Sequence, residues 1–123
     1  MKETEERIKT LIKDAFGDVK INFVVIEDRE CEIDVEVSEY ASFQCLKEGF
    51  ESTLVLKVNW DNNERFYMQS MKDLDEFLSS LMSAVFKWSG FEEGKKILNG
   101  IDKEKVVVFI NAVIDAINDS KEE

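Results

Sequence analysis

The spacing of apolar and polar positions changes period twice along the chain. Ile8, Leu11, Ile12, Ala15 and Phe16 fall at i, i+3, i+4, i+7 and i+8, which predicts a helix over residues 3–16 with one apolar stripe. Glu3, Glu5 and Glu6 occupy its first turn, where the helix dipole favours negative charge, and Gly17 follows as a C-terminal cap. The period then drops to two. Val19, Ile21, Phe23 and Val25 alternate with Lys20 and Asn22, and Val24 and Ile26 make the end of the run continuous. From Glu30 to Val37, carboxylates fill the even positions while Cys31, Ile33, Val35 and Val37 fill the odd ones. A strand is the regular structure that sorts two such sets onto opposite faces.

These two strands can be set in register, because directly opposed residues of an antiparallel pair share a face. Pairing Val25 with Cys31, Phe23 with Ile33, Ile21 with Val35 and Val19 with Val37 sets apolar against apolar and leaves Glu27-Asp28-Arg29 as the loop. It also puts Lys20 opposite Glu36 and Asn22 opposite Asp34 on the outer face. A slip of one residue would set Phe23 opposite Asp34, and the pattern argues against it.

Residues 40–50 fit a short helix or a strand; the alternation of Ala41, Phe43 and Cys45 favours a strand that turns at Glu48-Gly49. A strand over 52–60 directs Leu54, Leu56, Val58 and Trp60 one way and Thr53, Lys57 and Asn59 the other. Asp61-Asn62-Asn63-Glu64 is a turn signal, and Arg65 to Gln69 make the last strand. From Ser70 the period is helical again, with Met71, Leu74, Leu78, Leu81, Met82, Val85 and Trp88 in a stripe widened by Phe77 and Phe86. Gly90 and Gly94 interrupt it and leave a short helical piece over 91–98. Asp102 then caps a last helix carrying Val106, Phe109, Ile110, Val113, Ile114 and Ile117. The expected architecture is one α+β domain over residues 1–123. It has an N-terminal helix, an antiparallel meander of about four to five strands, and two to three C-terminal helices packed on one sheet face.

Composition narrows what such a domain can do. The 123 residues are 44% hydrophobic and include nine Phe, enough for a core and unlike an acidic disordered chain. Twenty-seven acidic side chains against 16 basic ones give a net charge of −11. That sign disfavours direct nucleic-acid binding and anionic membrane surfaces, and no apolar run approaches membrane-spanning length. If the charge has a use beyond solubility, the partner is basic. Two cysteines, Cys31 and Cys45, are too few for a disulfide framework; both sit in apolar-patterned stretches as buried thiols, and a cytoplasmic location is expected.

The catalytic vocabulary is thin. The chain has no histidine, so the commonest general base, the usual nucleophile triads and most zinc sites are missing. Asp73, Asp75 and Glu76 cluster at a helix start, where first-turn charges on the dipole explain them better than acid–base work. The run Asp61-Asn62-Asn63-Glu64 lacks the third ligand and the glycine of a calcium loop. A cavity between sheet and helices lined by Phe23, Phe43, Trp60 and Trp88 would be a small-ligand site, although such residues more often form core. No enzyme, cofactor or metal is expected.

One pattern remains. Glu30, Glu32, Asp34 and Glu36 project from one strand face at intervals of about 7 Å, and Glu27, Asp28 and Glu39 extend the row at both ends. Residues 27–39 hold seven acids and one base, more than half the net charge of the chain. The plain reading is a solvated face that protects a sheet edge. The functional reading is a surface for a basic protein, the logic used by immunity proteins against nuclease toxins and by phage-encoded inhibitors that mimic nucleic acid. The expected function is therefore a non-enzymatic acidic binding protein of inhibitor or immunity type. The alternative is a small structural or assembly protein acting through oligomerisation. Its interface would be a homodimer contact through the last helix, which is apolar over more than half its circumference.

Overall fold

A computed structural model of the chain describes residues 2–48, 54–60, 65–68 and 74–120. The elements follow in the order α1 (Lys2–Phe16), β1 (Lys20–Glu27), β2 (Glu30–Glu36), β3 (Ala41–Lys47), β4 (Val55–Trp60), β5 (Arg65–Met68), α2 (Leu74–Ser89), α3 (Phe91–Gly100) and α4 (Lys103–Ser120). The strands form one antiparallel meander in the order β1-β2-β3-β4-β5, so β1 and β5 are its edges. The fold is α+β, with the helices on one face of the sheet, as the succession of periods predicts. Residues 40–50 resolve as a strand over Ala41–Lys47, with Ala41, Phe43 and Cys45 turned inward. The expected turns at Glu48-Gly49 and at Asp61-Asn62-Asn63-Glu64, and the expected helix start at Ser70-Met71, fall wholly or partly outside the described residues.

Each helix buries the stripe its sequence carries. In α1, Ile8, Ile12, Ala15 and Phe16 are buried, and Gly17 ends the helix at φ +82°, its N–H donating to the Lys13 carbonyl at 2.9 Å. Asp102 caps α4, with its carboxylate accepting from the Glu104 and Lys105 N–H groups at 3.1 and 3.3 Å. The Asp102 N–H in turn donates to the Ala15 carbonyl at 2.8 Å, tying the start of α4 to the end of α1. Helices α1 and α4 pack on each other and over β1, with α4 also reaching β2, while α2 lies over β3, β4 and β5. The last helix thus packs between α1 and the sheet. Phe43 sits at the centre of the core. Its ring lies 4.7 Å from that of Phe16, 5.5 Å from Phe77 and 6.5 Å from Phe109.

Two expectations are corrected. Gly94 does not break the helix; it lies inside α3, where a Cβ would come within 2.4 Å of the Phe86 ring, so its lack of a side chain allows α3 to lie against α2. The second correction concerns the first hairpin. At its open end the expected register holds, with Lys20 opposite Glu36 and Ile21 opposite Val35. Beyond a bulge at Asn22 every pair slips by one: Phe23 faces Asp34, Val24 faces Ile33, Val25 faces Glu32 and Ile26 faces Cys31. The loop is Asp28-Arg29 alone, both residues left-handed at φ 50° and 69°, which is the two-residue turn whose twist matches the flanking strands. Val24 and Ile26 consequently face the core, and Phe23 and Val25 face outward, 38% and 40% exposed.

Candidate functional site

The acidic row lies on the sheet face opposite the helices. Cys31, Ile33 and Val35 of β2 are buried beneath the helices, and the alternation of the strand turns Glu30, Glu32, Asp34 and Glu36 the other way. Glu30 and Glu32 are exposed, Asp34 and Glu36 half-buried, and Glu27, Asp28 and Glu39 are exposed at the two ends. All seven residues singled out in the sequence therefore lie along one uncovered strip, with Glu27 and Asp28 at the tight turn and Glu39 after β2.

The register fixes what flanks the strip. Val25 and Leu46 stand on either side of Glu32, and Phe23 and Gln44 on either side of Asp34. Ser42 stands beside Glu36. The carboxylates differ in how they are held. Asn22, the bulge residue, donates from Nδ2 to Asp34 at 2.5 Å and to Glu36 at 3.1 Å. Gln44 donates to the other Asp34 oxygen at 3.0 Å. Among the described residues no side chain donates a hydrogen bond to Glu27, Glu30 or Glu32. Asp34 thus accepts through both oxygens and Glu36 through one.

The turn-proximal half of the row is concave. A depression of about 470 Å³ is lined by the carboxylates of Glu27, Glu30, Glu32 and Glu48, by Lys47, and by the apolar side chains of Val25 and Leu46. Lys47 is anchored to the turn, its Nζ donating to the Arg29 carbonyl at 3.0 Å. A shallower depression of about 250 Å³ lies at the other end of the row, with Glu36, Glu39, Tyr40 and Trp60 among its lining residues. Sequence reasoning found the row but missed Val25, Leu46 and Glu48. The continuous Phe23–Ile26 run, in which both parities are apolar, was the available signal that two of these side chains must face outward.

The expected ligand cavity lined by Phe23, Phe43, Trp60 and Trp88 does not assemble. Phe43 is sealed in the core, and Phe23 lies on the opposite sheet face. Trp60 and Trp88 do line a cavity of about 450 Å³ against α2, together with Ser80, Ser83, Ala84 and Lys87. Both indole N–H groups are buried and have no hydrogen-bond partner among the described residues. Asp75 and Glu76 are exposed, and Asp75 is paired with Lys103 of α4. Among the described residues no three Cys, Asp or Glu side chains converge closely enough to hold a metal ion. No described helix is long and apolar enough to cross a membrane. No protein-family model, curated protein or solved structure matches this chain.

Proposed function

We propose that the chain is a non-enzymatic binding protein that engages a basic protein surface, as an inhibitor or immunity-type module, through the acidic outer face of its sheet. The observation that carries this reading is the placement of Glu27, Asp28, Glu30, Glu32, Asp34, Glu36 and Glu39 along one strip that no described helix covers. A row of like charges on a strand weakens the fold by mutual repulsion. Its concentration in one place supports a use in recognition, where such a field speeds encounter and sets orientation. Exposed Phe23 and Val25 beside the row add the apolar contact that protein interfaces need at their centre.

The test is binding of a basic protein to the immobilised chain at low and at high salt, beside a variant with Glu32, Asp34 and Glu36 changed to Lys. Binding that weakens with ionic strength and disappears in the variant supports the proposal. Binding indifferent to both overturns it. Oligomerisation through the last helix has weaker support. Val106, Phe109, Ile110, Val113 and Ile117 are all buried within one chain, which leaves Val108 as the exposed large hydrophobic of α4. Sedimentation that finds only monomer at high concentration would discard it.

A further inference from the structure

We infer that α3 is the contact of a homodimer, in which the helices of two copies of this chain pack antiparallel about a two-fold axis passing near Gly94 and Lys95. This contact is separate from the acidic face. Helix α3 belongs to the helical layer, packed on α2 and α1, and the acidic row lies on the opposite side of the sheet.

Among the described helices α3 is the least covered. Of its ten residues only Gly94 is buried, with Ile97 half-buried, whereas α1 and α2 each bury a full stripe. Phe91 and Leu98 are 65% and 46% exposed, and Phe91 is the most exposed large apolar side chain described. Seven residues apart, the two stand on one side of the helix, two turns from each other. The Phe91 ring lies 6.1 Å from that of half-buried Phe86, so this apolar surface continues onto α2. A contiguous exposed patch marks an interaction surface, where a lone exposed residue would not.

The charges on α3 select the occupant. The run Phe91-Glu92-Glu93-Gly94-Lys95-Lys96-Ile97-Leu98 has apolar ends, two acids in its first half and two bases in its second. Read backwards it is its own complement. A copy running antiparallel, with its Leu98 against Phe91, brings its Lys95 beside Glu92 within one helical turn. The two-fold axis makes each contact twice. A parallel copy would instead oppose Lys95 to Lys95. Glu92, Glu93, Lys95 and Lys96 are all exposed, and none is in an ion pair with another described residue. Lys95 rests over the Phe91 ring, its Nζ 5.2 Å from the centroid, at the border of the patch where a facing carboxylate would meet it.

Local neutrality matters in a chain of net charge −11, because two copies repel wherever their acidic surfaces meet. The two acids and two bases of α3 cancel, so the copies approach there without that opposition. The same cancellation argues against a membrane surface, which holds an amphipathic helix through an excess of Lys and Arg on its polar face. The contact is small. One ten-residue helix per copy covers less than the roughly 800 Å² per partner of a standard interface, so the dimer is weak and forms at high concentration. It leaves both acidic rows uncovered, and the pair therefore presents two of them.

The experiment is sedimentation velocity of the full chain from about 10 μM to about 1 mM, a range that brackets a weak contact of this size. The native chain is expected to pass from monomer to dimer across it. Phe91→Glu should remain monomeric throughout. Glu92→Lys should weaken the dimer by about fivefold, since two exposed pairs are lost together. Glu92→Lys combined with Lys95→Glu should return it to the native strength, because the pairing is restored with its signs exchanged. All these positions are exposed, so the urea midpoints should stay near that of the native chain, which separates loss of association from loss of folding. A native chain that is monomeric at the highest concentration overturns the proposal. A dimer that survives Phe91→Glu lies elsewhere on the surface and overturns it too, as does failure of the double charge exchange to restore what Glu92→Lys removes. A monomeric chain that cosediments with phosphatidylcholine–phosphatidylserine vesicles, and loses this in Phe91→Glu, would assign the patch to a membrane and overturn the dimer.

Discussion

Cys31 and Cys45 are diagonal neighbours on β2 and β3, both on the face beneath the helices. The Cys31 thiol donates to the Cys45 carbonyl at 3.6 Å. The Cys45 thiol is held well above its ordinary pKa, first by its hydrogen bond with Cys31, then by burial, with electrostatic repulsion from Cys31 third. A thiol whose folded pKa is raised contributes no pH dependence below its unfolded value of about 8.5. Above that pH the unfolded chain releases a proton that the folded chain keeps, so stability falls as pH rises. The urea midpoint should therefore be lower at pH 9.5 than at pH 8, and the difference should shrink in Cys45→Ala. Iodoacetamide at pH 8 should leave both thiols unmodified in the folded chain and label both in urea.

At the scale of elements, the β1–β2 hairpin shows what a periodic pattern can and cannot decide. The alternation of β2 admits one reading, because every second residue is a carboxylate. The run Phe23-Val24-Val25-Ile26 of β1 admits two, because both faces would be apolar. Hydrophobic pairing chooses the register that buries Phe23 and Val25, and the hairpin adopts the other. The two-residue turn at Asp28-Arg29 and the bulge at Asn22 impose it, and the Ile26 N–H donates to Glu5 of α1 at 3.2 Å on the edge of the sheet. Arg29 holds φ 69°, a conformation that disfavours side chains with a Cβ by about 1–2 kcal/mol. Arg29→Gly should relieve part of this and stabilise the domain by about 1 kcal/mol, read as a higher urea midpoint. Had a three-residue loop been correct, with no left-handed demand at Arg29, the substitution would destabilise instead.

For the whole molecule, charge and stability pull in opposite directions. Glu30, Glu32 and Asp34 repeat at about 7 Å along β2, within the Debye length of about 10 Å at 0.1 M salt. Glu32 stands between apolar Val25 and Leu46, so it gains nothing from cross-strand charge pairing. Glu32→Thr should stabilise the domain by about 0.5 kcal/mol and reduce the stabilisation that added salt confers on the native chain. The same substitution removes a carboxylate from the centre of the proposed surface and should weaken binding of a basic partner. Stability and binding measured together on this one variant would separate a recognition surface from a merely solubilising one, in which only stability would move.

The sequence by itself determined the order and type of elements, because each buries a stripe whose period, 3.6 or two, is written in adjacent residues. It determined the acidic row for the same reason: alternation along one strand sorts side chains onto faces without reference to anything distant. Tertiary structure alone decided three matters. It fixed the register of β1, where a turn's backbone angles outweighed apolar pairing. It explained Gly94 through the approach of the Phe86 ring. It also brought Val25, Glu48 and Leu46 around Glu32, a grouping across three strands and the residue that follows the third. Contacts between elements depend on which faces meet, and a local pattern carries that information only when one face is unambiguously apolar.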